Sequence, residues 1–324
     1  MRILFIIDRI ELNYFEFNEL VTNFWLIKTF LKRGYTVDIA TVDNLFLKNG
    51  TACSHVKKSF LKGENIFYEK NDRAEIIENY DLVMFRPDPP VDLDYINATY
   101  IFDFVDENKV RVLNSPKAIR NFNEKLHTVK FKHLMSENIV TSSAQDILDF
   151  LSEHKKLVLK PLNACFGSGV MLLNSGDLNT MAIINTMTDG GKRKVMVQKY
   201  ITGAENGDKR VLFLGEKVLP YCVRKLPGEN DFKFNDHCDK NIVKAELTPK
   251  EMSNFAQVAK ELSGMKLPLV GLDVIEGKII EINVTSPCYF IREINNCFGV
   301  HLENEIADYI EKCRVRRSDA LLYE

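Results

Sequence analysis

The sequence predicts an α/β protein whose first part is built on a parallel sheet. Residues 2–8 form a continuous apolar run, which is typical of a strand buried on both faces. Apolar side chains at helical spacing follow through residues 24–31, and residues 37–42 form a second apolar strand. With a further strand at 81–86, this order predicts parallel strands joined by crossover helices.

Length and composition limit the class of protein. A chain of 324 residues predicts two or three domains. A formal net charge of −2 gives no bulk reason to bind nucleic acid or an anionic membrane, and neither partner is expected. The apolar start is too short for a secretory core, and we expect no membrane span. The seven cysteines contain no C-x-x-C pair, so we expect reduced thiols and a cytoplasmic location.

Beyond residues 113–117 the pattern changes to a mixture of helices and strands. Two predicted helices span 143–153 and 248–263, and two more begin near residue 123 and at residue 301. The predicted strands are 156–160, 195–200 and several after residue 206. The first strand is not followed by G-x-G-x-x-G. The N-terminal sheet is therefore not predicted to bind a dinucleotide.

A hairpin at residues 271–287 brings three oxygen-bearing side chains together. Residues 276–278 form the predicted turn, with a glycine at positive φ. Glu281 and Asn283 are two residues apart, so a strand directs both to one face, and the hairpin places Asp273 beside them. Carboxylate and amide oxygens suit a hard cation such as Mg²⁺, and the pattern predicts a metal site. A solvated hairpin face is the alternative on pattern alone.

Several other polar residues suit phosphate binding. Lys160 ends an apolar strand and precedes a loop that contains Gly167, whose backbone suits close approach of a phosphate. Arg210 begins a later strand, and its planar guanidinium suits a transferring phosphoryl group. In the alternative interpretation, the aliphatic part of Lys160 covers apolar surface while its ammonium group is in water, and Arg210 is an ordinary surface arginine. The remaining candidates of this kind are Lys125, Lys199 and Asp208.

From residue 80 onward the chain carries short motifs in one order. They are Arg86-Pro-Asp-Pro-Pro90, Asn97-Ala-Thr-Tyr-Ile101, Leu113-Asn-Ser-Pro116, Asn123-Glu-Lys-Leu126, Leu159-Lys-Pro-Leu162, Gly207-Asp-Lys-Arg-Val211, Leu219-Pro-Tyr-Cys222, Gly271-Leu-Asp-Val274, Glu281-Ile-Asn-Val-Thr-Ser-Pro287 and Ile291-Arg-Glu293. Together they resemble the ATP-grasp carboxylate–amine ligases, and among these the bacterial glutathione synthetases. The resemblance implies an ATP-grasp fold, in which two α+β subdomains clamp ATP, preceded by a Rossmann-like parallel-sheet domain. The implied domains are an N-terminal substrate domain at 1–120, a small lid subdomain at 121–202 and a C-terminal subdomain at 203–324.

The resemblance also implies ATP and Mg²⁺ as cofactors and gives each candidate a role. Lys125, Lys160 and Gly167 would contact the phosphates, Asp208 would contact the ribose, and the backbone of Gln198, Lys199, Tyr200 and Ile201 would contact adenine. Mg²⁺ would be held by Asp273, Glu281 and Asn283, and Arg210 would be the catalytic residue. A donor carboxylate would form an acylphosphate, which an amine would convert to an amide.

The departures from the family pattern lie on the substrate side. The family's Lys-Asp-Ser loop after the first strand is absent from residues 12–18, and residues 164–167 keep one glycine of a Gly-Met-Gly-Gly loop. Where the family has arginines that bind substrate carboxylates, this chain has Lys225, Lys233 and Asn241, with Arg224 one position early. Lysine cannot make arginine's bidentate contact. The implied substrate residues are Arg86, Arg224, Lys225, Lys233, Asn241, Thr285 and Ser286.

The sequence therefore predicts an amide-forming ligase whose donor, acceptor or both differ from γ-glutamylcysteine and glycine. Its partners would be a small-molecule or peptide carboxylate and an amine, and a homo-oligomer (dimer or tetramer) is expected. The alternatives are a plain glutathione synthetase, a nucleotide-binding regulatory protein without catalysis, and a ligase that acts on a peptide or protein tail. Residues 236–239 offer metal-ligand types, but a polar loop is the favoured interpretation there. Cys165 and Cys238 lie on predicted loops and are interpreted as small filler side chains.

Overall fold

The described part of the chain forms three sheets with helices packed on them. A computed structural model describes residues 1–9, 11, 21–165, 167–228 and 241–313. The strands are β1 (Arg2–Ile7), β2 (Thr36–Thr41), β3 (Leu45–Lys48), β4 (Thr51–Lys62), β5 (Asn65–Tyr68), β6 (Arg73–Ile76), β7 (Leu82–Phe85), β8 (Arg111–Leu113), β9 (Asn138–Thr141), β10 (Lys156–Pro161), β11 (Met171–Asn174), β12 (Val195–Lys199), β13 (Asp208–Leu214), β14 (Lys217–Lys225), β15 (Ile242–Ala245), β16 (Leu269–Ile275) and β17 (Lys278–Asn283).

The helices separate these strands and cap the sheets. The described α-helices are α1 (Thr22–Lys32), α2 (Leu93–Ile101), α3 (Pro116–Arg120), α4 (Ala144–His154), α5 (Thr180–Thr188), α6 (Pro249–Gly264), α7 (Ile291–Phe298) and α8 (Leu302–Cys313). Short 3₁₀ helices span Val42–Asn44, Ile77–Asn79, Phe102–Phe104, Leu126–Leu134 and Ala204–Asn206. Among the helices of the described ranges, none is both long and apolar enough to cross a membrane.

Strand β1 lies inside the N-terminal sheet, whose order is β3-β4-β2-β1-β7-β8. It pairs in parallel with β2 and β7, and β7 pairs in parallel with β8, as the sequence predicts. Leu4 and Ile6 of β1 enter one apolar core, whereas Ile3 and Phe5 enter the core that α1 covers. Burial on both faces explains the continuous apolar run of β1.

The prediction of crossover helices throughout this sheet is wrong for the segment between β2 and β7. That segment forms β3 to β6, and β4 pairs antiparallel with β2, β3, β5 and β6. Asn49 and Gly50 join β3 to β4, and both have positive φ. Such an Asn-Gly pair is a strong hairpin signal, because both central residues of a type I′ turn need positive φ.

The second sheet is antiparallel, with the order β11-β10-β12-β9. On β10 and β12, Leu157, Leu159, Val195 and Val197 pack with apolar residues of α4 and α5. Because side chains alternate along a strand, Val158 and Lys160 face the opposite side of this sheet. The helix predicted near residue 123 is replaced by the 3₁₀ segment Leu126–Leu134, in which Phe131 is not helical.

The third sheet is antiparallel, with the order β15-β14-β13-β16-β17. One of its faces packs on α6, through residues such as Phe255 and Leu262. The other face packs on α7 and α8 and shares a core with α1 of the N-terminal sheet. The predicted hairpin is β16–β17, and its turn residues Glu276 and Gly277 both have positive φ. The domain boundaries at 120 and 202 stay a prediction.

Candidate functional site

A cavity of about 430 Å³ is lined by residues of the second and third sheets and of the N-terminal part. Lys160, Gln198, Lys199, Tyr200 and Ile201 line it from β10, β12 and the segment that follows β12. Lys160 and Gln198 are buried, and both lie on the face of the second sheet opposite to α4 and α5. Gly167 lines the cavity from the loop after β10.

A row of charged side chains crosses the third sheet at this cavity. Arg210 on β13 pairs in register with Asp273 on β16, and Asp273 pairs with Glu281 on β17. Asn283 lies two residues along β17, opposite Gly271. Strand alternation therefore places the three predicted metal ligands on one face, as the sequence predicts.

Arg210 and Asp273 form a buried bidentate ion pair. Arg210 donates from Nε to Asp273 Oδ1 over 2.7 Å and from Nη2 to Oδ2 over 3.1 Å. Its Nη1 donates to the Cys288 carbonyl over 2.8 Å. Burial alone would raise the pKa of Asp273, but the Arg210 and Lys225 cations outweigh it and lower the pKa to about 2. Asp273 is therefore ionised at neutral pH, and its negative charge is balanced mainly by Arg210.

Lys225 lies between two carboxylates. Its Nζ is 2.8 Å from Asp208 Oδ2 and 3.4 Å from Asp273 Oδ1. Burial would lower the pKa of Lys225, but Asp208 and Asp273 raise it. Burial raises the pKa of Asp208 to about 6 in spite of the neighbouring Lys225. The Lys225 ammonium is thus part of the charge balance of the third sheet.

Two further lysines contact strand β17 beside this row. Lys125 Nζ donates to Glu281 Oε1 over 2.8 Å and to the Ala164 carbonyl over 2.6 Å. Lys160 Nζ donates to the Ile280 carbonyl over 3.2 Å. Burial lowers the pKa of Lys160 to about 8, although Glu281 opposes the shift. Lys125, Lys160, Arg210 and Lys225 together form a concentration of positive charge that suits a polyphosphate.

Glu124 holds the segment that follows β17. Its Oε1 accepts hydrogen bonds from Val284 N over 2.7 Å, from Thr285 N over 2.9 Å and from Thr285 Oγ1 over 3.0 Å. Its own carbonyl accepts from Ile282 N over 3.0 Å. Burial raises the pKa of this carboxyl. Glu124 therefore fixes the backbone that carries Thr285 and Ser286 at the cavity wall.

The N-terminal part contributes an acidic end to the cavity. Arg86 is buried and donates from Nε to Asn23 Oδ1 over 2.5 Å and from Nη2 to the Pro287 carbonyl over 2.9 Å. Asn23 in turn donates to Glu11 Oε2 over 2.9 Å. Burial raises the pKa of Glu11 to about 8 and the pKa of Asp88 to about 6. Glu11, Asn23, Arg86 and Asp88 all line the cavity.

Nearly all of the predicted site residues within the described ranges line this cavity. Besides those of the second sheet, they are Arg86, Lys125, Asp208, Arg210, Lys225, Asp273, Glu281, Asn283, Thr285 and Ser286. Arg224 does not line it: alternation along β14 turns Arg224 away from Lys225, and its Nη1 donates to the Asn206 carbonyl over 3.3 Å. Asn241 also lies off the cavity wall. Lys233 and Cys238 are outside the described residues.

The wall residues fit a nucleotide and a hard cation. Within the described residues, Gln198 Nε2 and Asp208 Oδ1 are buried without a hydrogen-bond partner. An unpaired donor and an unpaired acceptor in one cavity suit a ligand that carries both kinds of group, as a base and ribose hydroxyls do. Asn283 Nδ2 donates to Asp273 Oδ2 over 3.2 Å. The carboxylate oxygens of Asp273 and Glu281 and the amide oxygen of Asn283 are the kind of ligand atom that Mg²⁺ prefers.

Sequence reasoning did not assign Glu11, Asn23, Asp88 or Glu124 to the site. Asp88 and Glu124 fall inside the motifs at 86–90 and 123–126, next to residues that were assigned. Their positions inside those motifs were therefore an available signal. Glu11 and Asn23 carry no such signal, because only the fold brings them to Arg86.

Two family models match the chain over most of its length. The model described as prokaryotic glutathione synthetase, N-terminal domain, matches residues 1–120, and the model described as prokaryotic glutathione synthetase, ATP-grasp domain, matches residues 124–299. The glutathione synthetase of Vibrio parahaemolyticus serotype O3:K6 is 35% identical over 283 residues, which cover 87% of this chain and 89% of that protein.

Solved structures show the same fold at low sequence identity. The D-cycloserine synthetase DcsG superposes with a TM-score of 0.66 at 11% identity, covering 97% of this chain and 100% of that one. The ATP-grasp ligase PsnB, complexed with a minimal precursor, superposes with a TM-score of 0.62 at 16% identity, covering 96% of this chain and 98% of that one.

Proposed function

Because the chain belongs to the prokaryotic glutathione synthetase family, it is an ATP-dependent, ADP-forming ligase that makes carbon–nitrogen bonds, and we propose that its donor, its acceptor or both differ from γ-glutamylcysteine and glycine. The family uses ATP and Mg²⁺. The proposal concerns the substrates and the roles of individual residues.

The proposed reaction has two steps. A donor carboxylate oxygen bonds to the γ-phosphorus of ATP, and the bond to ADP breaks. The amine nitrogen then bonds to the acyl carbon, phosphate leaves with the electron pair of the carbon–oxygen bond, and the nitrogen loses a proton. Each step needs charge neutralisation and alignment more than covalent help from the protein.

The residues of the cavity are suited to these tasks. Lys125 and Lys160 contact β17 and Arg210 lies on β13, so a phosphoryl group bound at this row would be neutralised by cations at both ends of it. Gln198 and Asp208 would bind and orient the base and the ribose. Asp273, Glu281 and Asn283 would hold Mg²⁺. Bound Mg²⁺ supplies Lewis-acid charge stabilisation at the phosphate oxygens.

The observation that carries the substrate proposal is the environment of Lys225. In the family pattern an arginine at this position binds a substrate carboxylate. Here Lys225 Nζ is buried between Asp208 and Asp273, at 2.8 and 3.4 Å, and binding a substrate carboxylate would require it to leave both. A lysine in this position therefore neutralises the carboxylates of the site and does not serve the donor.

The acidic end of the cavity supports the same conclusion. Asp88 and Glu11 line the wall there: with a pKa of about 6 Asp88 is mainly ionised at neutral pH, whereas Glu11, with a pKa of about 8, is mainly a neutral carboxyl. The Arg86 guanidinium already donates to Asn23 and to the Pro287 carbonyl. A substrate group that meets this wall is favoured when it donates hydrogen bonds or carries positive charge, and disfavoured when it is a second carboxylate. We infer a donor whose distal end carries an ammonium or amide group but lacks the second carboxylate of γ-glutamylcysteine.

A matched pair of donors tests the proposal. γ-Glutamylcysteine is compared with its derivative in which a carboxamide replaces the α-carboxylate of the glutamyl unit, each with glycine and with a panel of other amines, by ATP-dependent phosphate release. The carboxamide is expected to give a kcat/KM higher by roughly tenfold, which corresponds to about 1.4 kcal/mol. A preference for the unmodified peptide with glycine would restore a plain glutathione synthetase.

Adding a longer peptide with a free carboxyl terminus and a peptide amine to this set distinguishes a ligase of small molecules from a ligase of peptides. Turnover only with a peptide carboxyl terminus or a peptide amine would assign the chain to the ligases that act on a peptide or protein tail. Family membership sets aside a regulatory protein that has lost ligation, since the chain is a ligase. The cytoplasmic location and the homo-oligomeric state stay predictions.

A further inference from the structure

A cluster of potential metal ligands lies on the second sheet, outside the cavity. Glu153 and His154 end helix α4, and Glu137 immediately precedes β9. A ligand atom from each of these three residues lies within 4.8 Å of the others. His154 Nε2 is 3.6 Å from Glu137 Oε2 and 3.7 Å from Glu153 Oε1.

The imidazole of His154 is buried and lacks a partner. Its side chain is 6% exposed and packs edge-on against Phe150, with ring centroids 4.3 Å apart. Within the described residues, Nε2 accepts or donates no hydrogen bond. Both carboxylate distances exceed hydrogen-bond length, and an unpaired buried polar atom is destabilising. The histidine therefore points at two carboxylates without bonding to either.

The separations between these atoms suit a metal ion better than a bridging water. Ligands about 2.1 Å from a tetrahedral ion are roughly 3.4 Å apart. Two groups joined by a water, with hydrogen bonds of about 2.8 Å, are roughly 4.5 Å apart. The observed distances of 3.6 and 3.7 Å are close to the first value. Glu137 and Glu153 have side chains 57% and 67% exposed, so both are free to make the small adjustment.

We propose that Glu137, Glu153 and His154 bind a divalent transition metal of the Zn²⁺ type, with water completing the coordination. One imidazole nitrogen and two carboxylate oxygens favour Zn²⁺ or Co²⁺ over Mg²⁺, which prefers oxygen ligands. The site is distinct from the cavity of the ligase reaction and does not rest on the proposed substrates.

The site is linked to the cavity through Lys199. Lys199 Nζ donates to Glu137 Oε1 over 2.7 Å, and Lys199 N donates to the Glu137 carbonyl over 2.9 Å. Glu137 thus offers one oxygen to Lys199 and the other to the metal. A bound ion would link the end of α4 to β9 and, through Glu137 and Lys199, to the end of β12. Residues 198–201 at this end line the cavity. The ion would stabilise the folded state by mass action.

The test is a Zn²⁺ titration of the full chain by calorimetry, with Mg²⁺ in excess so that the oxygen site is filled. We expect one binding event that His154→Gln weakens by at least roughly tenfold, the size of effect that loss of even an outer-shell partner produces. His133→Gln, which changes an exposed histidine outside the cluster, is the matched control and should bind Zn²⁺ as the wild type does. His237→Gln should also leave the event unchanged.

Two further measurements keep the test decisive. Zn²⁺ should raise the melting temperature of the wild type and not that of His154→Gln, and Co²⁺ should give a visible absorption band that the same variant lacks. If His154→Gln does not fold, the exposed Glu153→Gln replaces it. Equal Zn²⁺ affinity in the wild type and in either cluster variant, or loss of the event in His237→Gln, would overturn the proposal.

Discussion

Replacing Asp273 by asparagine tests the charged row of the third sheet. The side chain keeps its size, but Arg210 and Lys225 lose a buried anion at 2.7 and 3.4 Å. The lowering of the Asp273 pKa from 3.8 to about 2 corresponds to roughly 2–3 kcal/mol of stabilisation at neutral pH. Removing one partner of a buried ion pair costs about 3–5 kcal/mol. We therefore expect Asp273→Asn to lower the free energy of unfolding by about 3 kcal/mol.

The pH dependence and the activity sharpen this prediction. A carboxyl with a depressed folded-state pKa stabilises above its unfolded pKa, and the stabilisation is lost as the pH falls. The difference between wild type and Asp273→Asn should thus shrink from about pH 4 to about pH 2. Phosphate release from ATP should fall by roughly a hundredfold or more, because a proposed metal ligand and the partner of Arg210 are removed.

The assay is urea denaturation at several pH values together with phosphate release. Asp38→Asn is the matched control, because Asp38 is a fully buried aspartate that accepts hydrogen bonds from Arg73 and Tyr80 in the N-terminal sheet. It should lose stability and keep phosphate release once folded. An Asp273→Asn variant with wild-type stability and wild-type phosphate release would refute the reasoning about the row.

Variants at three other residues, Glu124, Lys160 and Lys225, give further predictions. Glu124→Gln should fold normally, because Oε1 alone accepts all three hydrogen bonds from residues 284–285, whereas Glu124→Ala should lose about 1–3 kcal/mol in urea denaturation. ATP affinity, measured by calorimetry, should weaken about tenfold per pH unit above about pH 8, where Lys160 loses its proton, and Lys160→Gln should lack this dependence. Lys225→Met should weaken ATP binding several-fold without changing the donor KM, and Lys225→Arg should bind ATP as the wild type does. A change confined to the donor KM would make Lys225 a substrate ligand.

Much of the fold follows from local patterns. The apolar run of β1 and the helical spacing of α1 indicate a parallel sheet, and the residues at 276–278 indicate the β16–β17 hairpin. The antiparallel strands between β2 and β7 were missed, although Asn49 and Gly50 give a strong hairpin signal. Short strands such as β9 and β11 carry too few residues for a clear alternation.

The sequence predicts which residues form the site, but not which of them pair with one another. The sequence predicts that Asp273, Glu281 and Asn283 share one face of the sheet, because this depends only on side-chain alternation along a strand and on the position of one turn. The pairing of Lys225 with Asp208 depends on the register of β13 against β14, which the sequence does not specify by itself. Glu11 and Asn23 meet Arg86 only because distant parts of the chain pack together.

The most direct test of the central claim is the rate of glutathione formation by the purified chain. Saturating γ-glutamylcysteine, glycine, ATP and Mg²⁺ are supplied, and glutathione is quantified by mass spectrometry alongside ADP release. The account predicts a rate far below the range of about 1–10³ s⁻¹ that is ordinary for enzymes, while another donor and acceptor pair reaches that range. Glutathione formation within that range would contradict it.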